Sequence, residues 1–143
     1  MKAPLFDQIL AISEKIADAS ATQDDALRTE HCQNLQKLCA TNQDSPNDHP
    51  LQWEALADFT EDGDQAIDIY QVGLHIAEKL KLAQYSASIY LAMAMRYQEF
   101  NEAEKTLEFA QKAHLLVNSI DNNEFKTEII DFLNSLENQG EDD

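Results

Sequence analysis

Four histidines (His31, His49, His75 and His114) and two cysteines (Cys32 and Cys39) are the residues on which catalysis or metal binding would have to rest. Their spacing suits neither. A zinc-protease helix carries His-Glu-x-x-His and a di-iron bundle carries Glu-x-x-His, because the ligands must share one helix face. Neither pattern occurs in the chain. His31 and Cys32 are adjacent, so on a helix they point to different faces and read as the edge of a packed core. Cys32 and Cys39 are seven apart in one predicted helix, about 10 Å along its axis, whereas a disulfide needs Cα atoms within roughly 7 Å. A reactive thiol needs a helix N-terminus or a cationic neighbour. Both cysteines fall mid-helix or later on the apolar side, and they read as buried structural thiols. The carboxylate pairs Asp24–Asp25 and Glu61–Asp62 read as helix caps and turns rather than acid–base pairs. Three glycines cannot build a phosphate-cradling loop, and no Ser-His-Asp arrangement follows from the spacings. The expectation is a non-enzyme with no metal and no cofactor.

The elements that must position any other kind of site are helices. The 143 residues suit one domain with a real core, 43% are hydrophobic, and glycine and proline occur only three times each. Pro46 and Pro50 share one loop-like stretch, and long runs without breakers favour helices over many short strands. The net charge of −17 divides into −4, −5 and −8 over residues 1–50, 51–100 and 101–143. Such a field repels nucleic-acid phosphates and anionic membranes, speeds encounter with basic partners, and also keeps a protein soluble. No apolar run approaches the roughly 18 residues of a membrane span. The start, MKAPLFDQIL, lacks the apolar core of a secretory signal, so the cytoplasm is the expected location.

Periodicity predicts seven helices and no strand. The first covers 4–20, with Leu5, Ile9, Ile12, Ile16 and Ala19 on one stripe. The second covers 23–41, capped by Thr22, with Leu27, His31, Leu35 and Leu38 as its stripe. Residues 41–50, TNQDSPNDHP, read as a loop. Helices follow at 50–60, 64–80, 83–98, 101–118 and 122–137. Gly63 is expected to supply the permissive turn backbone in EDGD. Asn101 is expected to cap the sixth helix, with Glu104 at capping-box spacing. Phe125, Ile129, Phe132 and Leu136 form the face of the seventh, and the acidic tail 139–143 is expected to fray.

Small residues recur among the larger apolar ones. Ala66-x3-Tyr70-x2-Gly73 is repeated 37 residues later as Ala103-x3-Leu107-x2-Ala110, each copy following a helix and a tight turn. With Trp53-x2-Leu56-Ala57 upstream, the pattern resembles the tetratricopeptide repeat (TPR), whose frame is W-x2-L-G-x2-Y followed by A-x3-F. The departures are specific. Thr60 stands where the family has Tyr, the turn after the third helix is shorter, the fifth helix has no Trp, and neither copy has the closing Pro. The period of 37 exceeds the usual 34. The resemblance covers residues 50–118. It implies an all-α fold of antiparallel helix pairs stacked as a short right-handed array. Residues 1–42 would form an N-terminal hairpin that resembles a degenerate repeat, 50–118 two repeats, and 119–138 a capping helix. Ala57, Ala66, Gly73, Ala103 and Ala110 would let helices approach closely, and Trp53 would be core.

By the same resemblance, the chain is a protein-interaction module, an adaptor or chaperone with a concave groove. The groove positions are Leu51, Glu54 and Asp58 on the third helix and Tyr85, Ser88, Ala92, Met95 and Arg96 on the fifth. Met93 and Met95 fall on different faces, one for core and one for the groove. The groove lacks the clustered Lys and Arg that grip an acidic peptide end, so the expected partner is another protein, offering a neutral-to-basic or amphipathic segment with an apolar anchor. No nucleic acid and no membrane is expected as partner. An acidic mimic of nucleic acid, seated on a DNA-binding protein, is the alternative, and a homo-oligomer stays open.

Overall fold

Three chain reversals are closed by one arrangement of backbone hydrogen bonds, and glycine takes part in none of them. The computed structural model describes residues 2–141, the side chains of 139–141 excepted. Among the described residues every regular element is helical: α1 (Phe6–Ala21), α2 (Asp25–Asn42), α3 (Pro50–Asp58), α4 (Gly63–Lys79), α5 (Ala83–Glu99), α6 (Ala103–His114) and α7 (Asn123–Glu141), with a 3-10 turn at Val117–Ser119. Among the described residues no helix is long and apolar enough to cross a membrane. By internal contacts the chain forms two compact units, Met1–Ile76 and Ala77–Asp143.

In the first unit, α1 packs on α2, and both meet α3. The α1 stripe is buried as its spacing requires, with Ile16 at 0% and Ala19 at 1% exposure. The core collects Ile16, Leu35, Cys39, Trp53, Leu56 and Ile76. The α2 stripe is narrower than expected. Leu35 is buried, but Leu27, in the first turn of α2, is exposed. Thr22 does not cap α2: its hydroxyl turns back to the Asp18 carbonyl at 3.1 Å. Asp24 is the cap, accepting from the Leu27 N–H at 3.0 Å. Asp62 caps α4 in the same way through the Gln65 N–H, so the paired acids of Asp24–Asp25 and Glu61–Asp62 serve helix ends.

The second unit is built on α5 against α6, with α7 on α6. Tyr97 stacks on Phe109 at 5.2 Å between centroids, while Tyr90 lies 6.1 Å from Phe109 on its other flank. Ala87, Ala94, Ala110 and Ala113 are each 1% exposed or less. Small side chains here allow close helix approach, and the rings fill the remaining space. Ala103, expected in such a contact, is exposed. The sixth helix begins at Ala103 rather than 101, which puts that residue in an outward-facing first turn. Ala66, four residues into α4, is 0% exposed. On α7, Ile129 and Leu133 are buried, while Phe125, Phe132 and Leu136 are half-buried. That helix continues to Glu141, into the stretch expected to fray; residues 142 and 143 lie outside the described residues.

Positive φ belongs to Gln23, Asp44, Lys81 and Asn101, and to no glycine among the described residues. Gly63 is the first residue of α4 and needs no special conformation. Asn101 is likewise not a cap. Gln23, Lys81 and Asn101 each sit just past a helix end, donating to Ser20, Glu78 and Gln98, while the next N–H reaches back to Ala19, Ala77 and Tyr97 at 2.8–3.0 Å. This is the Schellman pair, which satisfies two terminal carbonyls and usually employs glycine. A residue with a Cβ costs roughly 1–2 kcal/mol in this conformation, partly offset by the greater freedom glycine gives the unfolded chain. Gln23→Gly is therefore expected to raise unfolding free energy by about 0.5–1 kcal/mol. Urea denaturation checks this, with Asn101→Gly expected to gain less because Asn tolerates the left-handed region.

Candidate functional site

The start of α3 gathers the chain's most concentrated polar chemistry. Pro50 at the first helical position fixes the entry of the helix. His49 precedes it as the cap, its Nδ1 accepting from the Leu51 N–H at 3.1 Å. Immediately before it, Asp48 Oδ1 accepts from the Trp53 indole N–H at 2.7 Å and from the Gln52 amide at 3.1 Å. Asp48 Oδ2 accepts from the Asp44 N–H at 2.9 Å. Gln52 is 0% exposed, and its Oε1 has no partner among the described residues. The Cys39 thiol donates to the Gln52 carbonyl at 3.3 Å.

These groups are structural rather than catalytic in character. Burial, helped by the negative charge of Asp48, pushes the Cys39 thiol up to about 12. It stays a neutral thiol and is no nucleophile at neutral pH. Cys32 is only half-buried, packed against the same core, and both cysteines are free. No group of three or more His, Cys, Asp or Glu side chains is arranged to hold a metal among the described residues. Neither Asp48 nor Gln52 carried any signal in the sequence beyond lying in or beside a loop. Their roles come from the turn that folds Asp48 back over α3.

The residues expected to line a groove belong to different units, and each set is described on its own. On α3, Leu51 and Glu54 are half-buried. Asp58 is exposed, yet it accepts a short hydrogen bond from the Tyr70 hydroxyl of α4. Tyr70 is 2% exposed, so its hydroxyl needs an acceptor at the edge of the core, and Asp58 provides one. Asp58 is therefore a structural partner as well as a surface acid. On α5, Tyr85, Ser88, Ala92 and Arg96 are half-buried and Met95 is exposed, while Met93 is fully buried. The two methionines thus divide between surface and core as their spacing predicts.

A separate cleft lies wholly within the second unit. Its volume is about 390 Å³, and Ala77, Leu82, Ala83, Leu115 and Leu116 supply apolar walls. Ser86, Tyr90, Glu78, Lys81 and Lys112 supply the polar groups. The Tyr90 hydroxyl donates to Glu78 Oε1 at 3.1 Å. Burial first, then that hydrogen bond and the Glu78 charge, push the phenol above its ordinary range, so Tyr90 remains a neutral donor. Leu115 is 80% exposed at the rim. The cleft lies outside the expected groove residues, and no motif announces it.

No family model, curated protein or solved structure matches the chain.

Two expectations follow for the α3 cluster. Asp48→Ala leaves the Trp53 and Gln52 donors without their acceptor, a loss of about 3 kcal/mol that denaturant unfolding measures. The His49 cap also titrates. Burial, outweighing the opposing Asp48 charge, holds His49 below its ordinary 6.5. The folded state thus favours the neutral ring, whose Nδ1 can accept, while the unfolded chain takes up protons near 6.5. The contribution to stability is full above about pH 6.5 and is lost as the pH falls below that toward the lower folded value. Urea midpoints at pH 7.5 and 5.5 should differ in the wild type. His49→Asn caps without titrating and should narrow the difference; an unchanged difference would remove His49 as its source.

Proposed function

We propose that the chain is a non-enzymatic protein-interaction module, a TPR-like adaptor or chaperone that takes a neutral-to-basic peptide or helix. One observation carries this reading. Helix α5 buries seven residues, from Ser86 to Tyr97, yet its face at Tyr85, Ser88, Ala92 and Met95 stays partly open, with Met95 37% exposed. These four recur at helical spacing, and an exposed thioether is an adaptable apolar group. A helix otherwise committed to the core holds such a face rigid, which lowers the ordering cost of binding.

Further features support the reading. Ala57, Ala66, Gly73 and Ala110 are buried, as the close helix approaches of such an array would require. The net charge of −17 favours encounter with a basic segment and disfavours nucleic acid or an anionic membrane as partner. Acidic mimicry of nucleic acid rests on that charge alone.

The test begins with the immobilised chain and a lysate of its source organism, eluted with stepped salt. One or two proteins should elute at moderate salt and share a basic, amphipathic segment. A synthetic peptide of that segment should bind in solution. Met95→Glu should weaken it by about tenfold with the helical circular dichroism unchanged. Full affinity in Met95→Glu would remove the α5 face from the reading. Retention of nothing at low salt would remove the reading itself.

A further inference from the structure

We propose that Met95 is a reversible oxidation site, and that peroxide acting on its sulfur switches off the open face of α5. The switch presumes that this face docks a partner, the reading proposed above. Its basis is the contrast between two methionines of one helix.

Met93 and Met95 stand two residues apart on α5, about 200° apart around the helix axis. Met93 is 0% exposed and Met95 37%. Thioether oxidation follows exposure, so one sulfur is offered to solvent and the other is withheld. The thiols lie elsewhere: Cys39 is fully buried, and Cys32 is half-buried against the core of the first unit. Met1 lies outside the described residues.

The step is a two-electron oxygen transfer. The sulfur lone pair attacks one oxygen of hydrogen peroxide and the O–O bond breaks. An S–O bond forms, and the departing hydroxide takes the proton of the transferred oxygen and leaves as water. The thioether is oxidised to the sulfoxide and the peroxide is reduced.

The result is a change of polarity on the surface rather than a change of fold. A sulfoxide oxygen pressed against an apolar anchor loses its water and gains no donor. On the other side of α5, Ala87, Leu91, Met93 and Ala94 are buried and hold the helix in place. The same oxygen on Met93 would break a filled core. The placement of the two sulfurs therefore confines oxidation to the face.

The charge of the chain is unchanged by the reaction. The long-range attraction of a −17 protein for a basic segment persists. What is lost is the short-range apolar contact, so oxidation acts on dissociation and leaves association alone.

The full-length chain is treated with hydrogen peroxide at neutral pH, and fragment-ion mass spectrometry reads the oxidation of each methionine. Met95 should convert at least about tenfold faster than Met93, with the helical circular dichroism unchanged. The binding probe is an end-blocked amphipathic peptide built only of leucine and lysine, followed by surface plasmon resonance. The sulfoxide form should bind it several-fold more weakly, through faster dissociation at an unchanged association rate. A pair of sulfoxide reductases, one for each epimer, should restore the affinity. Met95→Leu should bind equally before and after peroxide. Equal oxidation of Met93 and Met95 would overturn the site, and so would a peroxide effect that persists in Met95→Leu. Met95→Glu tells the switch apart from the docking face beneath it. If Met95→Glu weakens the peptide and the sulfoxide does not, the switch falls and the docking face stands. If neither weakens it, or the untreated chain binds no peptide, the docking face falls and the switch with it.

Discussion

The reversals at Gln23, Lys81 and Asn101 determine which helix faces can meet. Each uses the same pair of backbone bonds and one residue in the left-handed region. The bonds satisfy carbonyls that would otherwise be stranded at a helix end. The short connection returns the chain at once, so α1 meets α2 and α5 meets α6 along their lengths. Everything that depends on register follows from this: Ile12 and Ile16 in one cluster with Leu35 and Cys39, and Tyr97 against Phe109. The conformational cost at a side-chain-bearing residue is small beside the burial of even two such side chains, each about 1.5–3 kcal/mol. Glycine is therefore dispensable at these turns, though each would be more stable with it.

The entry to α3 solves a different problem. Trp53 and Gln52 bring polar atoms into a core that otherwise holds Ile16, Leu35 and Leu56. One carboxylate, Asp48, answers the indole and the amide and also closes its own loop through Asp44. The arrangement is nearly complete: Gln52 Oε1 alone stays unpartnered. A half-satisfied amide is destabilising in isolation. Here it is tied on two sides, by Asp48 through its side chain and by Cys39 through its backbone carbonyl. The raised Cys39 thiol is a consequence of this setting. A neutral S–H can donate to that carbonyl, and a thiolate could not.

Helix content and most core faces were legible because period-3.6 stripes report burial directly, as at Leu5–Ala19 and at Met93. The ends were less legible. Thr22 and Asn101 have good capping chemistry, but the helices stop one or two residues away, and the Schellman bonds place Gln23 in a left-handed role that its side-chain chemistry does not advertise. Ala103 illustrates the limit of a repeat read from spacing. It matches Ala66 in sequence, yet the helix start moves it to the surface. The expected groove residues are visible as surface positions, but Asp58 also serves Tyr70, a pairing between residues twelve apart that periodicity does not reveal. The cleft was invisible for a stronger reason. Its lining comes from a helix end, a turn and the last turn of another helix, and only the fold makes them neighbours.

The second unit carries the open face of α5 and, at the start of the same helix, a cleft. The open face of α5 centres on Met95 and belongs to a strongly acidic chain, and under the proposed reading a basic apolar segment would be its complement. The cleft begins at the other end of the same helix, where the macrodipole is positive and two lysines outnumber one engaged glutamate. Helix polarity separates them. A cation-bearing ligand near Met95 would sit toward the C-terminus of α5, where the dipole favours its charge. It would be positioned by one rigid element, whose buried side Ala87, Leu91 and Ala94 already fix.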